Sequence, residues 1–143
     1  MAYEPFVPLR VLSSYSMLEG AIEPKAIAKR AKELGFPAVA VCDRNGLYAA
    51  PQFSDGCKGA GVQPIIGTLL TVLRPDRPDG TAPVYDSLAL YAQDEAGYAN
   101  LCALTSAAHL DRPLEEPAHV TFEKLAEHTD GLIALTGGAE GAM

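Results

Sequence analysis

The chain has 143 residues, 48% of them hydrophobic, which suits one domain with an apolar core. Its 11 basic and 18 acidic residues leave a formal charge of −7; gripping phosphates needs clustered Lys and Arg, so this chain is not expected to hold DNA by itself. The three cysteines, Cys42, Cys57 and Cys102, are odd in number and far apart, which speaks against a zinc knuckle or a disulfide framework and fits a reducing cytosol.

Phe6–Leu12 reads as a first strand, with Pro5 and Pro8 placing it at an edge or a strand start, because proline cannot donate to a ladder. Glu4 and these prolines also leave no apolar signal core at the start. Ser13–Gly20 is a polar connection. Pro24 then stands where a first helical residue is favoured. Ile27, Ala31 and Leu34 recur at i, i+4 and i+7, with Lys25, Lys29 and Lys32 facing elsewhere and Gly35 ending the helix. Ala38–Cys42 is a compact apolar strand, and Asp43–Gly46 is its turn. A weak helix over Pro51–Lys58 is interrupted by Gly56 and Gly59. Pro64–Leu73 is a strand whose unbroken apolar character suits burial on both faces. It belongs to the longest uncharged run, Gly59–Leu73, which is shorter than the roughly 20 residues of a membrane helix. No membrane association is expected, and the cytoplasm is the expected location.

Pro75–Pro83 is a turn-rich loop. Ser87–Ala92 is a fourth strand. Asp94–Glu95 marks the start of a helix running to His109, with Tyr98, Leu101, Cys102, Thr105 and Ala108 on its inner face. Asp111–Ala118 is a proline-rich loop. Thr121 caps a short helix, although Lys124 stands where a capping box wants Glu or Gln. Leu132–Thr136 is the fifth strand, ending in Gly137–Gly138. This alternation predicts an α/β fold with a largely parallel sheet or barrel. Ligand sites in such folds gather at the carboxyl ends of strands: here Ser13–Glu19, Asp43–Tyr48, Leu69–Thr71 and Gly137–Gly141. The last seven residues follow a strand where a helix should begin, so the expectation is a truncated barrel. Its uncovered edges would favour self-association or a rearranged sheet.

The strand ends carry a family resemblance. Phe6–Ala21 resembles a strand with alternating histidines that runs into Ser-x-Tyr-Ser-Leu-Leu-Asp-Gly-Ala. Ala28–Gly35 matches the helix after it. Phe36–Tyr48 resembles a turn of the form Thr-Asp-His-Gly-Asn-Leu-Tyr. Pro64–Gly67 is similar to a Pro-Ile-Ile-Gly-Cys-Glu strand, and Gly131–Gly138 to Gly-Leu-Ile-x-Leu-Ser-Gly-Gly. These matches, in order from residue 6 to residue 138, resemble the N-terminal part of the PHP domain of bacterial replicative DNA polymerases, the DNA polymerase III alpha subunits. The resemblance implies part of a distorted, TIM-like (β/α)7 barrel spanning residues 1–143, with the polymerase domains outside this chain. It implies a DNA-directed DNA polymerase, a nucleotidyltransferase using magnesium, as the parent. Histidines and carboxylates at the strand ends of such a domain hold zinc or manganese, which activates water against a phosphodiester.

Carried over residue by residue, that ligand set is degenerate. The histidines of the first strand fall on Pro8, Arg10 and Leu12, the Asp-His of the turn on Asp43 and Arg44, and the strand glutamate on Leu69. The acid before Gly20 survives as Glu19. Proline and leucine have no donor, and a guanidinium repels a cation. Glu19 and Asp43 remain as weak metal candidates, and two carboxylates without histidine do not make a tight transition-metal site. No catalytic residue and no cofactor is expected here. One reading has Arg44, and with it Arg10, replacing the metal by fixed charge beside Asp43 and Glu19; the other has them as ordinary loop charges.

His109, His119 and His128 lie at no ligand spacing and read as surface or helix-end residues. Ser13, Ser14 and Ser16 have no neighbouring histidine in sequence and read as turn and cap residues. Gly137, Gly138 and Gly141 match neither phosphate-loop pattern. The resulting expectation is a structural PHP portion of a polymerase III alpha subunit, or of an error-prone paralogue. It would contact other holoenzyme subunits, such as the separate proofreading exonuclease, and meet DNA only through its parent. The alternatives are a stand-alone PHP phosphoesterase and a free-standing adaptor.

Overall fold

The computed structural model describes residues 5–75 and 78–141. Glu4, the Asp76–Arg77 part of the predicted loop and the final Ala142–Met143 lie outside the described residues. The elements in chain order are α1 (Pro24–Glu33), β1 (Ala38–Arg44), α2 (Ala50–Ala60), β2 (Gln63–Leu73), β3 (Tyr85–Ala92), α3 (Glu95–Leu110), α4 (Phe122–Ala126) and β4 (Leu132–Leu135), with a 3-10 turn at Gly138–Glu140. The expected mixed α/β architecture is present, and the four strands form a sheet in the order β1-β2-β3-β4. The chain divides into two compact units, Met1–Asp43 with Leu47–Gly67, and Arg44–Gly46 with Thr68–Met143.

The first unit is built on α1 and α2. Pro24 opens α1, where its missing N–H costs nothing. Ile27, Ala28 and Ala31 then pack with Val39, Val41, Ala49, Phe53, Cys57 and Val62. Leu34, expected on this face, caps the helix instead and is 49% exposed, because the stripe 24-27-28-31 already faces inward and the chain turns away at Gly35. α2 is longer than expected and runs through both glycines. A Cβ at Gly56 would come within 3.3 Å of the Lys25 Cα, so glycine lets α1 and α2 approach closely. That packing outweighs the helix penalty of about 1 kcal/mol for glycine.

Phe6–Leu12 is not a strand, contrary to expectation. The segment still lies along β1, since Ala40 N donates to Pro8 O at 2.9 Å and Cys42 N to Val11 O at 2.8 Å. Acceptors three residues apart thus meet donors two apart, a bulge-like mismatch, and Pro8 has no N–H to return.

In the second unit α3 packs on β3 and β4. Asp94 caps α3 as expected, its Oδ1 accepting from Gly97 N at 2.9 Å. The buried face is Gly97, Leu101, Leu104, Ala107 and Ala108, whereas Tyr98 is 41% exposed and Cys102 and Thr105 are half-buried. Both stripes have helical period. The one that buries two leucines and leaves the tyrosine hydroxyl to water prevails.

β3 and β4 run antiparallel, with Ala89 opposite Leu135 and Ala92 opposite Leu132, which corrects the expectation of a largely parallel sheet at this pair. Two helices lie between these strands, and the chain comes back to the end where β3 finished: Gln93 N donates to Gly131 O at 2.8 Å. Thr121 caps α4 by accepting from Lys124 N. No helix among the described residues is long and apolar enough to cross a membrane.

Candidate functional site

β1 delivers Asp43 to its C-terminal end, where the side chain is only 2% exposed. One loop gives the carboxylate three hydrogen bonds. Oδ1 accepts from Ser13 N and Ser16 Oγ, and Oδ2 accepts from Ser13 Oγ, each at 2.8 Å. Hydrogen bonds to an ionised acceptor are the stronger kind, and they offset the desolvation of a buried carboxylate.

The loop also closes on itself. Ser16 N donates to Ser13 O, Gly20 N to Ser16 O, and Ser14 N to Ile22 O. Ser13 Oγ accepts from Tyr15 N at 3.1 Å while donating to Asp43, so its hydroxyl is used in both senses. Gly20 is there by necessity, since a Cβ on it would fall 1.9 Å from Ser13 O. Tyr15 reaches across to α2 and donates to Gln52 Oε1 at 2.9 Å.

The other positions marked by the family resemblance do not supply ligands. In the first unit, Pro8 is half-buried and offers its carbonyl to β1, Arg10 is exposed, Leu12 is half-buried, and Glu19 is exposed in the loop. In the second unit, Leu69 is buried, and Arg44 is half-buried with its Nη1 donating to Ser87 Oγ at 3.1 Å.

Next to Arg44, Asn45 adopts a left-handed backbone with φ 48°. Its backbone N donates to Leu69 O. Its side chain extends the pairing: Oδ1 accepts from Thr71 N at 2.7 Å and Nδ2 donates to Thr71 Oγ1 at 2.8 Å. His109 Nε2 donates to the Asn45 carbonyl at 2.9 Å, consistent with a helix-end residue. His119 departs from its surface reading: it is 6% exposed, its Nδ1 donates to Pro117 O at 2.8 Å, and its ring centroid lies 5.0 Å from that of Tyr85. That ring contact joins residues 34 apart in sequence, so no local spacing announces it.

A metal cluster needs several imidazole or carboxylate donors aimed at one point. Among the described residues no group of three or more His, Cys, Asp or Glu is arranged to hold an ion. The Asp43 oxygens face hydroxyl and amide donors, and the strand-end positions 8, 12 and 69 carry side chains without a ligand atom. The described strand-end residues do not fit a zinc or manganese cluster. Ser13 and Ser16, read from sequence as turn residues, prove to be the partners of Asp43. No local spacing announces that pairing, because the two serines stand 30 and 27 residues from Asp43.

The PHP domain family matches residues 8–143. A DNA polymerase III subunit alpha of Caulobacter vibrioides is 47% identical over 143 residues, covering 96% of this chain and 12% of that protein. An error-prone DNA polymerase of Anaeromyxobacter is 38% identical over 152 residues, covering 99% of this chain and 13% of its own length. The chain therefore spans a small fraction, 12% and 13%, of the polymerases it matches. Among solved structures, a protein of Bifidobacterium adolescentis described as a metal-dependent phosphoesterase superposes with a TM-score of 0.52 at 20% identity, over 76% of this chain and 37% of that one. This last likeness shows the fold.

Proposed function

The chain belongs to the PHP domain family, and from that premise we propose that it is the N-terminal PHP portion of a bacterial DNA polymerase of the DNA polymerase III alpha type. In this reading it serves as a structural and subunit-contact domain, not as a metal-dependent hydrolase. The observation that supports this is the state of Asp43: a strand-end acid of the family pattern, buried and engaged by Ser13 and Ser16. Pro8, Arg10, Leu12, Arg44 and Leu69 stand at the remaining ligand positions of the family pattern.

The parent protein, on this reading, is a cytoplasmic DNA-directed DNA polymerase whose magnesium-binding carboxylates and DNA contacts lie in other domains. Its partners are other holoenzyme subunits, among them the proofreading exonuclease. An alpha subunit and an error-prone polymerase match 96% and 99% of this chain, so the proposal covers either.

Elemental analysis of the purified protein, paired with hydrolysis of bis(p-nitrophenyl) phosphate in added manganese or zinc, tests it. The expected result is no stoichiometric metal and no turnover. Stoichiometric metal, with turnover that disappears in Asp43→Ala, would make the chain a working phosphoesterase and overturn the reading. Arg44→His should not create a metal site; if that single change confers tight zinc binding, the site is far less degraded than proposed.

A further inference from the structure

We propose that Asp43 is a positioning residue that holds the Ser13–Gly20 loop in its conformation through hydrogen bonds, at the place where the family pattern puts a metal ligand. The proposal rests on the non-hydrolytic reading above, because a carboxylate engaged in this way is not spare for an ion. Three observations carry it, all within the first unit.

The first is the convergence of donors. A backbone N–H and two hydroxyls from a single loop meet one buried carboxylate at 2.8 Å each, across 27 and 30 residues of sequence. Donors of this kind offset the burial of an anion as a cation would, without requiring one.

The second is backbone strain that something must hold. Leu18 sits in the left-handed region at φ 69°, and its side chain is fully exposed. A non-glycine residue there costs about 1–2 kcal/mol. Leu18 makes no buried contact that would repay it, so the hold comes from the residues on either side. Ser16 supplies it twice, with Oγ bound to Asp43 and its carbonyl accepting from Gly20 N at 2.8 Å.

The third is the close fit of the loop's two ends. Gly20 packs so tightly against the Ser13 carbonyl that no side chain fits between them, and Ser13 bridges Ile22 in parallel register. The loop therefore has one compact closed form, with Asp43 beneath the end that carries Ser13 and Ser16. Strain retained in such a place, held by surrounding hydrogen bonds, is the pattern expected of a positioned loop.

The test compares wild type, Ser16→Ala, Asp43→Asn and the double variant in the full chain, with and without manganese or zinc. The readouts are amide hydrogen exchange across residues 14–20 and, as a control, exchange in α1 and α2. Ser16→Ala is the mild variant and guards against a chain that fails to fold. Removing one charge-assisted hydrogen bond should speed loop exchange about tenfold or more while α1 and α2 stay protected. The double variant should be little worse than Asp43→Asn, since both remove the same interaction. Added metal should change none of this.

Unchanged loop exchange in both single variants would overturn the proposal and leave Asp43 as a strand-end acid with no hold on the loop. Loop protection that rises with metal and vanishes in Asp43→Asn would overturn it too, because Asp43 would then be a ligand. If phosphodiester turnover appears with metal while Ser16→Ala still opens the loop in a metal-independent way, the anchor stands and only the non-hydrolytic reading fails.

Discussion

Arg74 grips Asp86 through two parallel hydrogen bonds, Nε to Oδ2 at 2.9 Å and Nη2 to Oδ1 at 2.6 Å. The carboxylate is 6% exposed, while the arginine side chain is about half in solvent. Solvent screens much of the attraction between the charges, so the weight of the pair lies in what happens to Asp86 when its donors go. Arg74→Met should therefore lower the urea-unfolding midpoint, because an acceptor is left short in a buried place. Arg74→Lys should fall between that variant and wild type, since an ammonium cannot reproduce the paired geometry. A neutral Arg74→Met would show that water satisfies Asp86 without help.

Asn45 supplies the second prediction. It has a positive φ and spends its amide on Thr71 N, Thr71 Oγ1 and, more distantly at 3.3 Å, Ala118 O. Asn45→Ala loses these bonds and keeps an unfavourable backbone, for an expected loss of about 2–3 kcal/mol. Asn45→Gly loses the same bonds but relaxes the backbone, so it should be milder by about 1 kcal/mol. The order of the two midpoints in denaturant decides this. If alanine proves as stable as glycine, the left-handed conformation is not retained at this position.

How much of this was legible in the sequence depends on the range of the interaction. Pro24, Asp94 and Thr121 announce the helices they begin because a first turn is satisfied by its own neighbours. The apolar strand starting at Ala38 is equally plain, and it places Asp43 at the strand end where ligands gather. The partner of Asp43 was not legible. Ser13 and Ser16 look like turn residues from local sequence, and only closure of a loop some thirty residues away makes them its donors. The Phe6–Leu12 segment misled for the opposite reason: its composition favours a strand, but Pro8 breaks the donor pattern that a ladder needs. On α3 the sequence offers two stripes of the same period, and the choice between them belongs to the sheet that the helix covers. The direction of β4 is set by the two helices that precede it, which no pattern within Leu132–Leu135 encodes.

Cys57 gives a prediction that turns on pH. It is fully buried in the core of the first unit, and burial alone pushes its thiol from 9.0 up to about 11. The protonated thiol is the form that the folded chain accepts. Between pH 9 and 11 the unfolded chain has lost this proton and the folded chain still binds it. Stability therefore falls as pH rises through that window, by up to about 1.4 kcal/mol per unit from this group, and the contribution is flat below it. Lysines and tyrosines titrate over the same range, so the quantity to measure is a difference. Urea midpoints of wild type and Cys57→Ala should run parallel from pH 7 to pH 8.5, offset by the lost packing, and then converge as wild type weakens faster. Modification by a thiol reagent should show the same cause in another form, with Cys57 reacting only as fast as the unit opens. Curves that stay parallel to pH 11, or a Cys57 that reacts at neutral pH as fast as an exposed thiol, would mean that the thiol is not sealed in the core formed by α1 and α2.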